Sequence, residues 1–249
     1  MTAPPRILTI AGSDSSGGAG MQADIKTITM LGGYAMTAIT AVTAQNTTGV
    51  QAVEVLSPEL VVAQIDACLA DIGVDAIKIG MLGSPGVQQA VADRLEGLAL
   101  PIVFDPVMVA TSGALLADEA TIAAFERLMR LATLTTPNVA ELAALGGLDG
   151  MAERAVAYLA KGGDTKAPEL EDRLVRPGAQ DRIWRSRRIE TRHTHGTGCT
   201  LSSAVATLLG QGLPLEEAID GARQFVRAAL EAAPGFGAGH GPMGHHAVR

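Results

Sequence analysis

Short apolar runs that end on glycine, aspartate or asparagine alternate along this chain with stretches of helical periodicity. No other feature limits the fold as much. Residues 6–12 (RILTIAG) form an apolar run closed by glycine and read as a buried strand. A Gly/Ser turn and a helix over 19–31 follow, then a second strand over 35–43. Ser57 can cap a helix over 57–71 with Pro58 at its first position, and Leu60, Ile65 and Leu69 share one face. A strand over 76–79 ends at Gly80, and Ser84-Pro85 opens a helix to 95. Residues 102–104 deliver Asp105-Pro106, 118–131 are helical, and 133–136 form a short strand before Pro137. Strands in strict alternation with helices imply crossover units and a mainly parallel sheet. Chemical groups then belong just past the strand C-termini, where Asp14, Gln45, Met81, Asp105 and Asn138 all fall. With no linker, repeat or low-complexity block, residues 1–249 read as one α/β domain.

Charge and cysteine content exclude several classes. Nineteen Lys and Arg stand against 26 Asp and Glu, a net charge of −7, which argues against a nucleic-acid partner held through phosphates. The two cysteines, Cys68 and Cys199, make no disulfide framework. The uncharged stretches 27–53 and 196–215 are broken by Gly, Thr, Asn and Gln, so they read as core and not as membrane spans. The first residues lack a signal-peptide pattern. A cytoplasmic protein without membrane contact is expected.

Two glycine-rich segments carry chemistry. The loop Gly12 to Gly20 lacks the Gly-Lys-Ser/Thr ending of a Walker A motif. Gly18-Ala19-Gly20-Met21-Gln22-Ala23 fits the dinucleotide pattern, but residues 25–53 hold no acid for a ribose, so a tight strand-to-helix turn competes with it. His195-Gly196-Thr197-Gly198-Cys199 precedes a buried helix over 201–209, with Gly212 at its end. Backbone N–H groups and the helix dipole there suit a phosphate or oxyanion, and a helix N-terminus can lower a thiol pKa. A glycine-rich cap over a buried cysteine reads the same residues without function.

Taken in order, these segments resemble the hydroxymethylpyrimidine/phosphomethylpyrimidine kinases of the ribokinase-like superfamily. The matching pieces are Ala11-Gly12-Ser13-Asp14 through Asp24, Ile39-Thr40-Ala41 with Gln45-Asn46-Thr47, and Lys78-Ile79-Gly80-Met81-Leu82. Asp105-Pro106-Val107-Met108, Thr136-Pro137-Asn138, Lys161-Gly162-Gly163, His195 to Thr200 and His240-Gly241-Pro242 continue the series over nearly the whole chain. The resemblance implies ATP-dependent phosphorylation of 4-amino-5-hydroxymethyl-2-methylpyrimidine, then of its monophosphate, for thiamine synthesis. It also implies a homodimer. A pyridoxal-type vitamin kinase and a non-catalytic pyrimidine-binding protein are the alternatives.

The resemblance also implies roles. Gly196, Thr197, Gly198 and Cys199 would cradle the moving phosphate, with Cys199 as base or as lining. Gly12, Asp24, Gln45, Met81 and Val107 would meet the pyrimidine, Gln45 through an amide suited to an aminopyrimidine edge. Asp24 otherwise serves its helix dipole, and Met81 and Val107 otherwise pack the core. Lys161 and Asp105 would face ATP and its Mg²⁺. Asn138 and Glu141 would organise the metal, although their i, i+3 spacing equally makes a capping box. His193 and His195 flank the cradle, and His245 and His246 read as solvated tail residues.

One stretch departs from the family. After the helix that Asn138 opens, 146–160 looks too short for both a helix and a strand leading to Lys161. One crossover element is expected to be shortened or lost. Residues 164–192, charged and holding the lone Trp184, are expected to be exposed, with a possible strand over 182–189.

Overall fold

A computed structural model describes residues 3–108, 119–163, 165 and 167–248. Among the described residues nine strands make one sheet: β1 (Arg6–Asp14), β2 (Tyr34–Asn46), β3 (Gly49–Val55), β4 (Ala76–Ile79), β5 (Ile102–Phe104), β6 (Leu134–Thr135), β7 (Tyr158–Ala160), β8 (Glu169–Val175) and β9 (Arg182–Arg187). Their order is β3-β2-β1-β4-β5-β6-β7-β8-β9. The central run β2-β1-β4-β5-β6-β7 pairs in parallel; β3, β8 and β9 add antiparallel edges. The helices are α1 (Gly20–Met30), α2 (Pro58–Ala67), α3 (Pro85–Leu95), α4 (Glu119–Leu131), α5 (Val139–Ala144), α6 (Gly147–Arg154), α7 (Thr197–Gly210) and α8 (Leu215–Glu231). A short π-helical turn, Cys68–Ile72, extends α2. The expected start of α4 at residue 118 lies outside the described residues.

Side-chain alternation divides the core in two. Leu8, Ile10, Ile77, Ile79, Ile102 and Phe104 face Val61, Val87, Val91 and Leu128 of α2, α3 and α4. Their strand neighbours Ile7, Ala76 and Val103 face Ile28, Ala204, Val205 and Ile219 of α1, α7 and α8. The same alternation sends Thr9 and Lys78 into the second layer, between α1 and α7. Both are fully buried there.

The stretch between Asn138 and Lys161 is compact, as expected, but it holds both elements thought to compete for it. α6 takes eight residues, Ala155 turns the chain at φ +51°, and β7 needs only three. Neither helix nor strand is lost. The segment after Lys161 is also corrected. It carries β8 as well as β9, and Trp184 is only 8% exposed, packed with the fully buried Leu174. Arg182 and Arg223 lie 5.6 and 5.9 Å over its ring. The tail is corrected too: His245 is buried, with Nε2 2.8 Å from Thr200 Oγ1.

Candidate active site

The strand order reverses direction beside β1, because β2 lies to one side and β4 to the other. Ligand crevices of open parallel sheets form outside the strand ends at such a point. The end of β2, the loops after β1, β4, β5, β6 and β7, and the α7 N-terminus supply the candidate residues there.

The loop after β1 winds around Asp14. Its carboxylate accepts from Ser16 N (2.9 Å) and Oγ (2.8 Å), Gly18 N (3.1 Å) and Ala19 N (2.8 Å). His195 Nε2 lies 2.8 Å from Oδ2. Burial alone would raise the Asp14 pKa, but the bonds from His195, Ser16 and Ala19 outweigh it and hold the group at about 2. Gly12 sits beneath this loop, against the Met81 side chain.

The α7 N-terminus opens on Gly196 at φ +88°. A Cβ there would drive into the Gly18 carbonyl oxygen, so both conformation and space require glycine. Thr197 and Gly198 line a cleft of about 480 Å³ together with Asn138, Lys161, Leu201, Arg223 and Val226. Below Gly198 lies a charged cluster. Lys161 Nζ is 2.8 Å from Asp105 Oδ1, and Asp105 also accepts from Thr136 Oγ1 at 2.9 Å. Burial opposes ionisation of Asp105, but Lys161 and Lys78 hold its pKa below the usual carboxylate range.

Asp24 differs from its expected place beside a ligand. It is fully buried, with Oδ2 taken by Lys78 Nζ (2.8 Å) and Thr9 Oγ1 (2.5 Å) and Oδ1 by Ser203 Oγ (2.5 Å). It anchors α1 to β1, β4 and α7 under the crevice. Cys199 also differs. Burial, with Asp24 and Asp105, pushes its thiol up to about 11 against the pull of Lys78 and the Gly20 backbone. The expected lowering by the helix N-terminus does not prevail, so the group is a thiol at neutral pH.

Gln45 stands at the end of β2, half-buried. Its amide lies 3.4 Å from His195 Nε2 and 3.2 Å from Thr43 Oγ1. Val107 is half-buried just past β5, two residues after Asp105. Asn138 and Glu141 form the capping box. Asn138 Oδ1 accepts from Glu141 N at 2.9 Å, and Glu141 Oε2 accepts from Asn138 N at 2.8 Å. Among the described residues no three His, Cys, Asp or Glu side chains group as metal ligands, and no helix is long and apolar enough to cross a membrane.

The sequence placed Asp14 among the strand-end positions without a specific role, and gave none to Thr43 or Lys78. Each of the two charged residues left a signal: Asp14 precedes Ser-Ser-Gly-Gly, a turn that consumes a carboxylate, and Lys78 interrupts the apolar run Ile77 to Ile79.

Residues 14–244 match the family model described as phosphomethylpyrimidine kinase. The hydroxymethylpyrimidine/phosphomethylpyrimidine kinase of Rhizobium meliloti is 47% identical, over 96% of this chain and 96% of that protein. The Streptomyces coelicolor enzyme of the same name is 43% identical, over 97% and 94%. Among solved structures, a pyridoxal kinase from Bacillus subtilis in complex with ADP superposes with a TM-score of 0.89 at 34% identity, covering 99% of each chain. The phosphomethylpyrimidine kinase of Clostridium difficile gives 0.75 at 36%, covering 90% of this chain and 98% of that one. This protein belongs to the phosphomethylpyrimidine kinase family, phosphotransferases of ribokinase-like fold.

Proposed function

We propose that this chain, acting as one catalytic domain, transfers the γ-phosphoryl group of ATP to 4-amino-5-hydroxymethyl-2-methylpyrimidine and then to the resulting monophosphate. The observation that carries this reading is a single hydrogen-bond chain. His195, the residue before the Gly196–Cys199 cradle, lies 3.4 Å from the amide of Gln45. A pyrimidine edge held by Gln45 therefore lies beside the groups that would hold the transferring phosphate. Met81 and Val107 supply apolar walls for the ring.

The 480 Å³ cleft suits ATP, with Leu201, Val226 and Leu230 for the base and Lys161 with the Thr197 and Gly198 backbone for phosphates. The hydroxymethyl oxygen attacks the γ-phosphorus, the bond to the bridging oxygen breaks and ADP leaves. Such a transition state is loose and needs positioned donors more than a strong base. A protonated Cys199 fits that demand as lining and donor, and the hydroxyl proton passes to an oxygen of the transferred phosphoryl group, and from there to solvent, as the new bond forms. Asn138, Glu141 and Asp105 are the oxygen groups that would hold a Mg²⁺, directly or through water, and the ion would supply neutralisation of the charge that develops on the phosphates. The structured crossover from Asn138 to Lys161 supports a catalytic reading over a purely binding one.

The superposition on pyridoxal kinase favours a second reading, a pyridoxal-type kinase. A mass-spectrometric assay with ATP, Mg²⁺ and each vitamin precursor decides. Mono- and diphosphorylated pyrimidine are expected; phosphorylation of pyridoxal alone would overturn the assignment. Valines exposed on β2 and β3, Val42, Val53 and Val55, support a homodimer, tested by light scattering. A cytoplasmic location fits soluble substrates, and fractionation of cells checks it.

A further inference from the structure

We propose that the Asp14–His195 pair and Thr43 fix which way round the Gln45 amide faces, and so select a ring edge that presents an amine beside a ring nitrogen. The proposal rests on the reading of Gln45 as the group that meets the pyrimidine.

The argument is an accounting of hydrogens. Asp14 is almost fully buried and already accepts four bonds from Ser16, Gly18 and Ala19. It is an anion over the whole working range of pH, and an ionised carboxylate only accepts. The 2.8 Å contact with His195 Nε2 therefore requires a hydrogen on that nitrogen. His195 Nε2 is a donor and cannot accept from the Gln45 amide nitrogen placed 3.4 Å away. Amide oxygen and nitrogen have the same shape, and exchanging them replaces two opposed N–H groups by a carbonyl facing the Nε2–H, which reaches it at 3.4 Å as the longer arm of a shared hydrogen whose main acceptor is Asp14.

The far end of the amide gives the same answer independently. Thr43 Oγ1 lies 2.9 Å from the Ser13 carbonyl oxygen and spends its one hydrogen there. Toward Gln45, 3.2 Å away, it offers lone pairs and needs a donor. Both neighbours thus set the carbonyl toward His195 and the NH₂ toward Thr43. The carboxamide then presents one carbonyl lone pair and one N–H to a ligand, in a fixed order. A 4-aminopyrimidine complements it, amine to carbonyl and ring nitrogen to N–H. The 4-oxo analogue reverses both partners and is refused.

The test compares kcat/KM for the amino substrate and its 4-oxo analogue. His195→Phe removes the donor, and Thr43→Val removes the acceptor at the other end. Each is expected to lower the amino-to-oxo ratio at least about tenfold while kcat for the amino substrate changes far less. His195→Gln, whose NH₂ can donate to Asp14 and to Gln45 together, is expected to retain the ratio. If one variant fails to fold, the other decides, since they act at opposite ends of the amide. An unchanged ratio in the folded variant, with Gln45→Ala raising KM, would overturn the proposal alone. An unchanged KM in Gln45→Ala would overturn the reading of Gln45 itself, and the proposal with it.

Discussion

His245 couples a single side chain to pH. Burial, helped by Lys26 and His246 and opposed by the Met243 backbone, pushes its imidazole down to about 4. The folded chain keeps this group neutral, while the unfolded chain protonates it near pH 6.5. As pH falls below about 6.5 the unfolded state binds the extra proton, so stability is lost until the folded pKa is reached. The contribution is full above that window and amounts to about 3 kcal/mol across it. His245→Gln can keep a bond to Thr200 without titrating. Urea unfolding at pH 7 and pH 5 should show the parent losing about 2 kcal/mol more than this variant; equal losses would remove His245 from the acid response. Asp14 acts in a separate window. Its depressed pKa gives stability that is present above about pH 4 and lost as pH falls toward 2.

At the scale of elements, a buried ion pair ties α1 to β4, and Ser203 of α7 donates to its carboxylate. Lys78 and Asp24 have fully buried side chains 2.8 Å apart. Removing one partner strands the other charge. Lys78→Met should cost about 3–5 kcal/mol, and adding Asp24→Leu should recover much of it, as a urea-denaturation cycle would show. The pair was only half legible in the sequence. A lysine within an apolar run announces a buried partner, but nothing local names Asp24, 54 positions away. The crossover after Asn138 was misread for a local reason. A helix usually ends on glycine, and here Ala155 takes the left-handed position at φ +51°, so the end of α6 carries no signal. That conformation strains an alanine. Ala155→Gly should therefore stabilise the chain by roughly 0.5–1 kcal/mol after the entropy of the unfolded state is allowed for. A lower midpoint in denaturant would contradict the strain.

Over the whole molecule the parallel centre was legible, because buried strands and capped helices carry strong local patterns. The antiparallel edges were not: β3 lies mostly exposed, and β8 is rich in charge, so neither shows the apolar run that marks a buried strand. Yet that charged edge frames the cleft proposed for the nucleotide. Asp172 on β8 accepts from Arg223 Nε on α8 at 2.7 Å, and both residues line the cleft. Arg223 also lies over Trp184, the only tryptophan in the chain. A nucleotide that draws on Arg223 must alter the field at the indole. ATP should therefore shift or quench Trp184 emission with saturation, and the pyrimidine alone should not, because neither Gln45 nor Asp14 lines that cleft. Arg223→Met should abolish the response while leaving the indole buried. An emission spectrum blind to ATP at concentrations that support turnover would place the nucleotide elsewhere and remove this edge from the site.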